Sequence, residues 1–124
     1  MPQLKVKIEV DYDGITLPGF PVIRRLELDE GQQFEYEKAD DGDATTFSAL
    51  PADQIATIQA LILQTDQVVT LRLDGQTDAG IVVNAGGLVL LFDVTIDAGA
   101  GASNAKVNNN SGATALLKGI TGGT

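Results

Sequence analysis

Two short acidic runs, Asp11-Tyr12-Asp13-Gly14 and Asp40-Asp41-Gly42-Asp43, carry the residue types with the most chemistry to offer. Closely spaced side-chain oxygens suit a hard cation such as calcium. A calcium loop of the helix–loop–helix kind starting at Asp11 needs another oxygen ligand at position 15 and a closing Glu at position 22. This chain has Ile15 and Val22 there. The second run has the wrong spacing altogether. Asp and Gly are also the residues that tight turns prefer for backbone reasons. Both runs are therefore read as turns, with a bound cation as the alternative.

Catalytic chemistry finds little support elsewhere. The chain has no His, the commonest general base near neutral pH, and no Cys. Thiolate nucleophiles, disulfides and zinc–thiolate sites are excluded with the latter. Ser48, Ser103 and Ser111 lie in no nucleophile elbow and have no imidazole to activate them. Carboxylates are plentiful enough for a glycosidase pair. A sugar cleft, however, normally offers aromatic platforms, and this chain has four Phe, two Tyr and no Trp. Asn84-Ala85-Gly86-Gly87 is a Gly-containing turn without the Gly and Lys pattern of a phosphate loop. The expectation is a protein that is not an enzyme and takes no cofactor.

The elements that would position any site are strands. In 124 residues, 44% of them hydrophobic and mostly aliphatic, there is enough for one core. Leu4, Val6, Ile8 and Val10 alternate with Lys5, Lys7 and Glu9, the period of a half-buried strand. Val22 to Leu28 is a second strand, and Phe34 and Tyr36 mark a third after a turn at Glu30-Gly31. A turn at 51–54 precedes a strand from Thr57 to Leu63, with at most one short helix allowed near residues 51–60. Val68 to Leu73 alternates again, Asp74-Gly75 turns, and Ile81 to Val83 leads into the turn at Asn84 to Gly87. Leu88 to Phe92 is apolar throughout and reads as a central strand buried on both faces, with Leu90 at its middle. A Gly/Ala loop follows at 98–102, then a turn at Asn108 to Gly112 and a last strand from Ala113 to Leu117. Short strands with turns at this spacing predict an all-β fold: an antiparallel β-sandwich or a partly closed, jelly-roll-like barrel. One domain is expected over residues 1–124, with an adaptable Gly/Asn-rich C-terminal segment.

Charge narrows the partners. The net charge is −9, which disfavours binding to nucleic acid and to anionic membranes. No apolar run approaches the length of a membrane span, and the start of the chain does not read as a signal peptide. Residues 27 to 43 hold eight acids and one base, Lys38, whereas residues 98 to 124 hold only Lys106 and Lys118. A solvated acidic face is the plain reading. An acidic surface that meets a basic neighbour is the functional one.

The second half carries a resemblance. Ile58-Gln59-Ala60-Leu61-Ile62-Leu63-Gln64-Thr65-Asp66-Gln67-Val68-Val69-Thr70-Leu71-Arg72-Leu73 leads to Gly80-Ile81-Val82-Val83-Asn84-Ala85-Gly86-Gly87-Leu88-Val89-Leu90-Leu91. Asn108-Asn109-Asn110-Ser111-Gly112-Ala113 and Gly119-Ile120-Thr121-Gly122-Gly123-Thr124 close it. These runs, over a little more than half the chain, resemble small β-sandwich structural proteins of tailed-bacteriophage virions, of the head decoration or cement type. The resemblance implies a non-enzymatic subunit on a capsid surface, bound to the major capsid protein or other virion proteins. A neck, tail or fibre component is the alternative within the particle. A carbohydrate- or ligand-binding β module and an adhesin or surface-layer repeat are the alternatives outside it.

With no chemistry visible, the working surfaces are expected to be protein contacts, including contacts between copies in a homo-oligomer. Terminal strands can pair with a neighbour's sheet edge. Leu4, Val6, Ile8 and Val10 at one end and Leu116, Leu117 and Ile120 at the other are the candidates, with the acidic stretch Glu27 to Asp43 next. Ends that merely fray are the alternative.

Overall fold

The computed structural model describes residues 3–52, 55–73, 80–96 and 105–124. Its first strands follow from alternation. β1 (Gln3–Ile8) pairs antiparallel with β4 (Val22–Glu27), so Leu4, Val6 and Ile8 stand opposite Leu26, Arg24 and Val22 on one face. The other face carries Lys5, Lys7, Arg25 and Ile23. Between them, β2 (Asp11–Tyr12) and β3 (Ile15–Thr16) pair across Asp13-Gly14. Both turn residues have positive φ, 54° and 78°, the conformation whose twist suits a two-residue hairpin and which Asp-Gly adopts readily. The first acidic run is thus a hairpin turn.

Two four-stranded antiparallel sheets form the rest. One has the order β10-β7-β12-β5, from β5 (Glu30–Lys38), β7 (Ile58–Thr65), β10 (Leu88–Ile96) and β12 (Ala115–Gly123). The other has the order β6-β11-β8-β9, from β6 (Ser48–Ala49), β8 (Val69–Arg72), β9 (Ile81–Val83) and β11 (Lys106–Asn108). Between them lies one cluster that draws Phe34, Leu61, Leu63 and Leu117 from the first sheet and Val69, Leu71, Val83 and Val107 from the second. The fold is an all-β sandwich, not closed into a barrel, and no helix occurs among the described residues, including the part of 51–60 that is described.

Register sorts the first sheet into rows. Val89, Leu63, Gly119 and Phe34 face the core. Leu90, Ile62, Ile120 and Gln33 form a row on the outer face, flanked by Leu88-Gln64-Lys118-Glu35 on one side and Phe92-Ala60-Gly122-Gly31 on the other. Leu28, between β4 and β5, is buried over Gly122, where any Cβ would collide with its methyl groups. This leucine seats the base of the β1–β4 ribbon on the outer face.

Several expectations need correction. Leu88 to Phe92 belongs to an edge strand, β10, and Leu88 is 59% exposed. The strands of that sheet with partners on both sides are β7 and β12. The segment expected to be an adaptable tail is therefore a central strand, paired with β5 from Ala115 to Gly123. Glu30-Gly31 begins β5 instead of forming a turn. The expected turn at Asp74-Gly75, the loop at 98–102, and Asp53-Gln54 lie outside the described residues.

These placements reorder the cost of core truncations. Leu63 is fully buried on β7, so Leu63→Ala should cost about 2–5 kcal/mol through lost transfer energy and a cavity. Leu90 is half-buried on the outer face of an edge strand, and Leu90→Ala should cost about 1–2 kcal/mol, since less area leaves water there. Urea unfolding of the two variants compares them directly. Equal losses would mean that the outer face is covered as completely as the core.

Candidate interaction surface

The N-terminal candidates lie together. Leu4, Val6 and Ile8 share one face of the ribbon, each half-buried, with Val10 just beyond the end of β1. By backbone pairing the ribbon joins neither four-stranded sheet. Its second face is basic, and Lys7 Nζ lies 3.0 Å from Glu9 Oε1, with both side chains exposed. Tyr12 and Ile15 at the far hairpin are 75% and 65% exposed.

The C-terminal candidates separate. Leu117 is wholly buried in the core, which removes it from any contact surface. Leu116 and Ile120, one residue out of phase with it, are half-buried on the outer face. Ile120 joins Leu90 and Ile62 in the aliphatic row, and exposed Leu88 extends the apolar surface toward the loop before β10. Beside Leu88 and Leu116 lies an open groove of about 340 Å³, lined also by Gln64, Thr65, Asp66, Gly86, Gly87 and Lys118. Asp66 fixes one wall, because its Oδ1 accepts the N–H of Leu116 at 2.7 Å.

A buried polar seam joins the loop after β5 to the loop after β11. Lys38 ends β5 with its side chain only 9% exposed. Its ammonium donates to Asp41 Oδ1 at 3.2 Å and to Ser48 Oγ at 3.0 Å. Asp41 Oδ2 accepts the backbone N–H of Asn109 at 2.7 Å. Asn108 Nδ2 donates to the carbonyls of Asp43 and Thr46, and Asn109 Nδ2 to those of Lys38 and Ala113. The second acidic run is therefore the acceptor side of a structural network. Sequence reasoning took Asn108 and Asn109 for turn residues. A clue was available in Lys38, the one base within an acidic stretch.

Among the described residues two groups titrate away from their ordinary values. The backbone N–H groups of Thr45 and Thr46, with the Thr46 hydroxyl, hold the exposed Asp43 carboxyl below the usual carboxylate range. Burial pushes the Tyr36 phenol up to about 12. Its Oη is enclosed without a hydrogen-bond partner, and its ring meets Phe34 edge-on at 6.0 Å. Among the described residues no group of three or more acidic side chains is placed to hold a metal ion, and no helix is long and apolar enough to cross a membrane.

No family model matches the sequence, and no curated protein or solved structure matches it.

Removing the carboxylate from the seam leaves the Lys38 ammonium enclosed with only a hydroxyl for company. Asp41→Ala should cost about 3 kcal/mol, the scale of breaking a buried ion pair. Ser111→Ala, which removes the hydroxyl donor to Asn109 Oδ1 at a half-exposed site, should cost about 1 kcal/mol or less. Urea melts would show the ordering, and equal costs would remove the seam's special role.

Tyr36 makes stability fall in strong alkali. The folded state favours its neutral phenol, so its contribution is intact below the unfolded value near 10. That contribution is lost as pH rises from there through about 12. In a Tyr12→Phe variant Tyr36 is the only phenol. Its absorbance at 295 nm should titrate near pH 12, and a midpoint near 10 would show that the ring is not enclosed.

Proposed function

We propose that this chain is a non-enzymatic structural subunit of a tailed-phage virion, most simply a decoration or cement protein that binds the major capsid protein on the head surface. The observation that supports it is the ribbon. Among the described residues its two strands pair with each other and with no other strand; one face is mostly aliphatic, with Arg24 opposite Val6, while the other carries Lys5, Lys7 and Arg25. A paired arm with free edges is suited to reach across to a neighbouring subunit. The half-buried outer row of Ile62, Leu90 and Ile120 supplies a second apolar contact of the kind found at assembly interfaces.

A neck, tail or fibre position would use the same surfaces in fewer copies. A ligand-binding module is favoured by one feature, the groove beside Leu88 with Gln64, Asp66 and Lys118 along it. No aromatic ring lines that groove, which counts against a sugar.

The test adds purified protein to phage heads that lack it. Binding in many copies, with a rise in the temperature at which the heads break, is the result expected of a cement protein. A variant with residues 3–27 replaced by a short linker should stay folded and lose binding. Unchanged binding by that variant would move the contact to the outer sheet face, and absence from purified virions by mass spectrometry would end the virion reading. Removing residues 115–123 is not an equivalent test, because it takes out a central strand.

A further inference from the structure

We infer that copies of this chain join by adding β1 of one copy to the outer edge of β5, along Phe34 to Glu37, in another. β5 is an edge strand whose only backbone pairing among the described residues is with β12. Its alternation is strict. Gln33, Glu35 and Glu37 point to the outer face and are exposed, while Phe34, Tyr36 and Lys38 point inward. β1 has the complementary alternation. Lys5 and Lys7 are exposed on one face, and Leu4, Val6 and Ile8 are half-buried on the other.

Laid antiparallel, with Lys5 opposite Glu37 and Lys7 opposite Glu35, both faces match at once. The opposite charges meet on the outer face, and Val6 and Ile8 continue the inner row beside Tyr36 and Phe34. Opposite charges directly across strands favour pairing and like charges oppose it. That rule also disfavours the symmetric alternatives in the registers of full overlap, since two β5 edges would set Glu35 against Glu37 and two β1 edges Lys5 against Lys7. The ribbon strands hold Lys5, Lys7, Arg24 and Arg25, half of the eight basic residues in a chain of net charge −9. The rest of the protein is thus an acidic surface for this arm to find.

Within one chain this pairing is not made. β4 runs into β5 through Leu28 and Asp29 alone, a link short enough for a hairpin, yet the two strands do not pair. Leu28 turns onto Gly122 and carries the ribbon away from the edge it would otherwise close. The ion pairs already present on these side chains, Lys7 with Glu9 and Lys118 with Glu35 at 3.8 Å, are exposed and easily exchanged. Each contact uses two different surfaces, so it closes as a ring or as a reciprocal exchange between two copies, or else propagates as an open filament.

The contact deepens the assembly part of the proposed function, but it is read in purified protein without any capsid, so either can fail while the other stands. Sedimentation velocity over a concentration series should show wild-type protein as an oligomer. The charge reversals K5E/K7E and E35K/E37K should each weaken association at least about tenfold while circular dichroism stays native. In a reciprocal dimer or an even-numbered ring an equimolar mixture of the two variants restores opposite charges at every contact and should assemble with both chains in equal amounts, and in an odd-numbered ring it should still form mixed pairs that neither variant forms alone. A monomeric wild type, unchanged association of either variant, or a mixture that stays monomeric would overturn the inference. Should a reversal unfold the chain, K5Q/K7Q and E35Q/E37Q carry the same comparison with wild type.

Discussion

Gly119 lies so close to the carbonyl of Ile62 that a Cβ there would overlap it, and Gly123 stands in the same relation to the carbonyl of Thr57. β12 fits between β5 and β7 because its glycines leave that space to the backbone of their neighbours. Much else follows from this seat. β7 gains a partner on both sides and becomes a strand with Leu61 and Leu63 fully enclosed. β5 and β10 become the two edges. Leu28 finds its place over Gly122 on the outer face, which sets where the ribbon leaves the sheet. The carbonyl of Thr124 takes the N–H groups of Ala56 and Thr57, so the end of β12 also fixes the approach to β7.

Below the hydrophobic cluster the two halves of the chain are held by the seam around Lys38, Asp41, Asn108 and Asn109. An aliphatic cluster is tolerant of small slips, because one methyl packs much like another. Directional bonds from two asparagine amides to four backbone carbonyls are not. They pin the loop after β5 in one position relative to β11. The buried ammonium adds little net stability by its charge, yet it requires Asp41 and Ser48 to be where they are.

The strands with one wet face were legible in the sequence. β1, β4, β5 and β8 announce themselves by period two, and Asp13-Gly14 and Asn84 to Gly87 by turn chemistry. What misled was reading burial as position in the sheet. Leu88 to Phe92 is apolar on both faces because β10 has the core on one side and the outer aliphatic row on the other, although it lies at an edge. β12 carries three glycines and looks weak, whereas those glycines are what let it lie inside the sheet. A single sequence states how apolar each face of a strand is. It does not state which strand stands beside it, and long-range order is where the expectation of an adaptable C-terminal segment failed, although a strand was expected from Ala113 to Leu117 and β12 runs from Ala115 to Gly123. The candidate surface was half legible for the same reason: the face of β1 follows from local alternation, while separating Leu117 from Leu116 and Ile120 requires knowing which side of β12 meets the core.

The pairing of β12 with β5 also governs how the protein reaches its structure. Ala115 meets Lys38 and Gly123 meets Glu30, partners separated by most of the chain. Contacts of such long range must overcome the entropy of closing a large loop before they stabilise anything, and folds built on them form slowly. Until β12 arrives, one side of β7 has no partner and β5 has no strand partner among the described residues, and β7 is among the most apolar strands described. The glycine-rich segment that looks least committed in sequence is therefore the one whose docking ends the interval in which the chain is most exposed to aggregation.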